Sequence, residues 1–249
     1  NSAPSHHLFL LSKFSYAIFL YMHISYKELN SIFENLKLTN CLNDVLLLRG
    51  RRALSWLKKS ENEDSEDAKF IFLWISLNCT YSQHALKEDD RDLRNKFFDL
   101  LLSSDNESKT IFTLLNKYPA DITLILNNEF IHPDYWNEEK WDFNQQNKLL
   151  WAASMQYENN RVSNKLSNDK DNKGNKKDVN YILNILFTRL YVLRNQIFHG
   201  GSTFEGSSNR TQVADGCRLM QNMVPLFIKI MLENPLNSYS EVIYPPADR

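Results

Sequence analysis

Apolar residues return along this chain at steps of three and four, the period of one face of a helix. The clearest case is KFIFLWISLNCTYS, where Phe70, Leu73, Trp74, Leu77 and Tyr81 fall on one broad stripe. Before it, a short helix is predicted over Ser31–Leu36 and a longer one over Asn43–Leu57, with Val45, Leu48, Arg52 and Trp56 at helical spacing. An acidic break over Glu61–Asp67 separates them from the apolar stripe, with Ser65 as N-cap and Glu66 and Asp67 in the first turn, where the helix dipole favours negative charge. Asp90–Leu102 and Glu107–Lys117 read as two further helices, and Pro119 sets off a short apolar piece ending near Leu126. From Asn127 to Asn144 no period holds, which predicts an irregular covering loop. Helix returns over Leu149–Tyr157, and the polar, Asn- and Lys-rich stretch from Asn159 to Asp178 reads as a solvated connection open to RNA contact. Two long helices complete the pattern. The first is capped near Asp178, carries Ile182, Leu186, Leu190, Leu193 and Ile197, and stops at Gly200-Gly201. The second runs from about Arg210 to Leu232 with Val213, Cys217, Met220, Val224 and Phe227 inward and a kink expected at Pro225.

Composition narrows the class. Of 249 residues 43% are hydrophobic, enough to build a full core. Only 6 are glycine, and half of those fall between Gly200 and Gly206, which leaves few left-handed turn positions for hairpins or phosphate loops. The expected class is therefore all-α. Lys+Arg 29 against Asp+Glu 30 gives a net charge of -1, so no global positive field draws the chain to nucleic acid and any such contact is local. The 3 cysteines, Cys41, Cys79 and Cys217, make neither a disulfide framework nor a zinc pattern, which points to a reducing compartment, the cytoplasm. The apolar run His7–Met22 is interrupted by Lys13 and is shorter than the roughly 20 residues a bilayer needs, so it reads as a helix packed on the domain rather than a membrane anchor.

The distinctive chemistry lies at the end of the first long C-terminal helix, in RNQIFHGG. Arg194, Asn195 and His199 are polar residues set into an apolar helix, and burying such groups without partners costs about 1–3 kcal/mol each. A cleft, a ligand or mutual contact would account for them. At 100° per residue Asn195 and His199 lie about 40° apart and Arg194 and His199 about 140° apart. Convergence of all three therefore needs an unwound last turn at Gly200-Gly201 or a second copy of the helix across a two-fold axis. His199, at the negative end of the helix dipole, is placed as suits a group that gains and loses a proton. The competing reading is structural: a capping histidine, with Arg194 in a salt bridge.

The segment RNQIFHGG, with an apolar helix before it and a polar loop and the helix opened by Arg210 after it, resembles the Arg-Asn-x-x-x-His-Gly signature of HEPN domains. FIFLWISLNCTYS is similar to the apolar helix of the Apea-like branch of that family, and Arg52–Leu57 fits the helix before it. The resemblance covers about Leu46–Asn234 and leaves Ser103–Asn147 unmatched. It implies an up-and-down helical bundle of HEPN type with extra helices, dimerising through the motif helices, and in many members a metal-independent endoribonuclease. Carried over, Arg194 would bind the scissile phosphate, His199 would move the proton of the 2′-OH or of the leaving oxygen, and Asn195 would orient the histidine or bond the phosphate. Toxins of the family that are silenced by a nucleotidyltransferase antitoxin often carry a tyrosine two residues after the histidine, and here that residue is Gly201.

These readings give an N-terminal helical extension over 1–45, a HEPN-like domain over 46–235 and a C-terminal tail over 236–249. The expected function is RNA cleavage by a homodimer in a toxin–antitoxin or phage-defence role, with an antitoxin or other regulatory protein as partner and no cofactor, metal or membrane. The alternatives are a non-catalytic nucleotide- or RNA-binding or regulatory module, and a structural partner in which Arg194 and His199 only bridge and cap. His84 and His132 lie in polar surroundings without a second ligand at i+4 and make no zinc site. Trp136, Trp141 and Trp151 offer either stacking platforms for bases or, at their irregular spacing, packing.

Overall fold

The computed structural model describes residues 23–83, 89–103, 105–136, 145–167, 174–201, 203–207, 210–237, 239 and 242. Every regular element among them is helical: α1 (Tyr26–Leu38), α2 (Asp44–Glu61), α3 (Glu66–Tyr81), α4 (Asp90–Leu101), α5 (Asp105–Leu115), α6 (Pro119–Leu126), α7 (Gln145–Ser167), α8 (Lys176–Phe198) and α9 (Arg210–Glu233). Short 3-10 turns at Glu129–Ile131 and Pro133–Trp136 lie between α6 and α7. The fold is an all-α helical bundle, and none of the helices among the described residues is long and apolar enough to cross a membrane. His7–Met22, His84, Trp141 and residues 168–173 of the expected polar connection lie outside the described residues.

Local chemistry sets most of the helix starts. Ser25 and Glu28 form a reciprocal capping box that starts α1 five residues before Ser31. Asn43, Asp89 and Asn175 each accept a backbone N–H in the first turn of α2, α4 and α8. Asp178, expected as the cap of α8, is instead its third residue and donates its N–H to Asn175. Ser65 precedes α3 as expected but makes no side-chain cap bond.

The core is aromatic where α3, α4, α8 and α9 meet. Phe98 stands 5.0 Å from Phe187 and 5.7 Å from Phe227, and Trp74 lies 6.5 Å from Phe187, ring centre to ring centre. Every member of the predicted stripe on α3 is buried, as are the five inward residues predicted for α9. Pro225 lies inside α9, which continues through it.

Three readings of the pattern are corrected. On α2 the buried face is Leu46, Arg49, Gly50, Ala53, Leu54 and Leu57, one position round from the predicted Val45, Leu48, Arg52 and Trp56, which are half-buried. Gly50 belongs to that face: a Cβ there would stand 2.7 Å from the Phe33 ring of α1, so glycine lets the two helices approach closely with the ring in place. Second, the expected connection over Asn159–Asp178 is mostly helix. α7 runs to Ser167, because Val162 and Leu166 bury and their charged neighbours find partners on α8. Arg161 lies 4.3 Å from the centre of the Tyr181 ring, and Lys165 pairs with Asp178. Third, His132 is buried rather than in polar surroundings. Its Nδ1 accepts from the Asp134 N–H, and its ring packs near Trp151.

Burial also sets the thiol chemistry. It raises the Cys217 thiol to about 12 and the Cys79 thiol to about 11, whereas Cys41 is exposed. A disulfide reagent at neutral pH is expected to titrate one thiol rapidly in the native protein and all 3 after denaturation in guanidinium. Two or more fast native thiols would contradict the packing of α3 and α9.

Candidate functional site

The polar end of α8 is closed by its glycines. Gly200 takes a left-handed φ of 70°, its N–H donates to the Ile197 carbonyl, and the Gly201 N–H donates to the Gln196 carbonyl at 2.7 Å. This pair of bonds is a Schellman ending, and it keeps the last turn wound. His199 is the C-cap and is exposed, while Arg194 and Asn195 are half-buried. Arg194 and His199 therefore stay well apart around the helix axis, and the unwound last turn is ruled out as a route to convergence.

Arg194 is held by its neighbours rather than by a carboxylate. Its Nη1 donates to Asn195 Oδ1 at 2.9 Å, and the guanidinium lies 4.3 Å from the centre of the Phe198 ring and 5.9 Å from that of Tyr191. Among the described residues Arg194 makes no salt bridge, which goes against the structural reading of an arginine spent on an ion pair. Two large aromatic side chains close to the motif in sequence face outward, Phe198 at 45% and Phe204 at 70% exposure.

The flanks are fixed by other contacts. Gln196 Nε2 and Trp136 Nε1 both donate to the Phe130 carbonyl, which ties the 3-10 turns to α8. At the start of α9 Arg210 makes two bonds to Asp67 of α3, at 2.9 and 2.8 Å, and the Glu205 N–H joins the same carboxylate. Of the tryptophans, Trp136 is exposed and Trp151 packs against Tyr135 and His132. Among the described residues no three His, Cys, Asp or Glu side chains converge as metal ligands would.

A second feature beside the motif escaped the sequence reading. A cavity of about 600 Å³ lies between α4, α8 and the Pro133–Trp136 turn, and Arg94, Tyr191, Asn195 and Gln196 line it. Arg94 is wholly buried on the stripe Arg94, Phe97, Phe98, Leu101 of α4. A charged residue at an apolar stripe position is the signal that points to it. No protein family, no curated protein and no solved structure matches the chain.

Proposed function

We propose that this protein is a metal-independent endoribonuclease of HEPN type that works in the cytoplasm as a homodimer, with Arg194, Asn195 and His199 of both copies forming one site. The observation that carries the reading is Arg194: a guanidinium at the end of α8, steadied by Asn195 and Phe198 and without a carboxylate partner among the described residues. A planar guanidinium so placed suits a phosphodiester, whose oxygens accept two parallel N–H bonds. The wound last turn supports the dimer, since only a second copy brings an arginine and a histidine together. The outward Phe198 offers apolar surface for that contact.

In this scheme the RNA 2′-oxygen attacks phosphorus and gives its proton to His199 of one copy. The P–O5′ bond breaks, the 5′-oxygen takes a proton from the other His199, and a 2′,3′-cyclic phosphate remains. Arg194 stabilises the added charge on the phosphoryl oxygens. Release of such an activity would be controlled by an antitoxin or other regulatory protein in a toxin–antitoxin or phage-defence setting.

Purified protein that sediments as a dimer is expected to cleave total RNA in excess EDTA and to leave 2′,3′-cyclic phosphate ends. Absence of cleavage across structured and unstructured RNAs would reject the nuclease and leave the non-catalytic binding module.

A further inference from the structure

The cavity beside the motif belongs to the same site, because one face of α8 builds both. Tyr191, Val192, Asn195 and Gln196 line it at steps of three and four residues, and Gly201 lines it past the helix end. His199 is the next residue on that face, about 40° round from Asn195 and about 6 Å further along the axis. Asn195 serves both parts. Its Oδ1 accepts from Arg194 Nη1 at 2.9 Å, so the N–H donors of its amide are what it offers a ligand.

The walls say what the cavity takes. Arg94 closes its inner side without offering a donor, since the side chain is 0% exposed and faces Asp90 and the Tyr81 hydroxyl. That hydroxyl donates to Asp90 at 3.0 Å, so these groups are spent on one another. At the rim Asp89 and Arg91 are exposed and of opposite sign. Without net charge the cavity does not draw a phosphate. Trp136 and Pro133 supply the outer wall, and the indole is 45% exposed. Its Nε1 bond to the Phe130 carbonyl at 2.6 Å fixes it, and Gln196 donates to the same carbonyl, which ties this wall to α8. An exposed indole whose polar atom is already satisfied offers ring surface rather than a hydrogen bond. At about 600 Å³ the cavity has the size of a small-molecule site. A flat, uncharged group carried on a phosphate fits such walls beside Arg194, and a nucleobase is that group.

We propose that this cavity is the base subsite of the motif, holding the unstacked base of an RNA nucleotide whose phosphate lies at Arg194, with Trp136 as the stacking residue and Asn195 as the link between the two. The assignment rests on RNA as the ligand of the motif and does not require cleavage. Every base has a π-face, so stacking on Trp136 tolerates any base.

The full chain is titrated, by fluorescence anisotropy, into two labelled 2′-O-methyl oligonucleotides of equal length, one carrying bases and the other abasic throughout. Neither has a free 2′-hydroxyl to attack phosphorus, and both carry the same charge, so the electrostatic contribution to binding is matched. The base-bearing strand is expected to bind about tenfold or more tighter. Trp136→Leu, at an exposed position, is expected to weaken that strand by about tenfold and to leave the abasic strand unchanged, whereas Arg194→Ala weakens both. If Trp136→Leu does not fold, the comparison of the two strands on the unaltered protein still decides. Equal binding of the two strands, binding of neither, or an equal loss of both in Trp136→Leu would each overturn the subsite. RNA cleavage together with base-indifferent binding would reject the subsite alone, and base-dependent binding through Trp136 without cleavage would reject the nuclease alone.

Discussion

Arg194→Ala is expected to lower the rate of RNA cleavage by about 10²–10³-fold, the effect of removing a group that meets charge developing in the transition state. The variant should stay folded. Arg194 is half-buried, has no ion pair among the described residues, and its removal costs a bond to Asn195 and ring contacts with Phe198 and Tyr191. The loss should appear mainly in kcat, because the extra charge on the phosphoryl oxygens exists only in the transition state. Arg194→Lys is expected to recover part of it, since an ammonium restores charge but not two parallel donors. His199→Ala should cost about 10²–10⁴-fold and flatten the pH–rate profile. Its effect on stability should be small, because the cap at this position is the backbone N–H bonded to the Asn195 carbonyl at 2.9 Å, not the imidazole. Arg194→Ala protein that cleaves within tenfold of the unaltered dimer would remove Arg194 from the mechanism.

Glu158→Ala should destabilise the fold by about 3 kcal/mol, the low end of the cost of leaving a buried charge without its partner, because Arg189 is buried while Glu158 is partly exposed. Arg189 on α8 is 1% exposed, and its Nη2 bonds Glu158 of α7 at 2.5 Å. Burial lowers the Arg189 pKa from its ordinary value, and Glu158 and, more weakly, Asp134 hold it up, so without Glu158 the buried cation loses its hydrogen-bonded partner. The same carboxylate faces His132 Nε2 at 4.0 Å, so its removal also loosens the turn that follows α6. For a domain of this size the loss corresponds to a fall in Tm of roughly 10 °C. Glu158→Gln with Arg189→Met, which takes out both charges, should recover most of it. A single Glu158→Ala variant melting within about 2 °C of the unaltered protein would show that the pair contributes little.

That pair also shows where the chain is hard to read. Glu158 stands at the border of a stretch dominated by asparagine and lysine, and asparagine favours caps and turns over helix interiors. α7 continues through it because Val162 and Leu166 bury and because Arg161 and Lys165 find Tyr181 and Asp178 on α8. Those partners are distant enough in sequence that no local window weighs them. Arg49 is a similar case. It lies on the buried face of α2, its Nη1 donates to the Cys79 carbonyl at 3.2 Å, and burial lowers its pKa to about 10, which still leaves it charged at neutral pH. An arginine reads as solvent-facing until the facing carbonyl is known.

The site divides in the same way. The polar triplet Arg194, Asn195 and His199, its place at a helix end and the stop at Gly200-Gly201 are all legible in eleven letters of sequence, because helix periodicity and C-capping are local. So is the all-α class, which follows from apolar spacing and the scarcity of glycine. The rotation of α2, the length of α7, the buried Arg94 and the cavity that it lines were decided by tertiary structure alone. Each depends on which face of one helix meets which face of another, and that choice is made by packing and by partners for buried charge, neither of which a single segment carries.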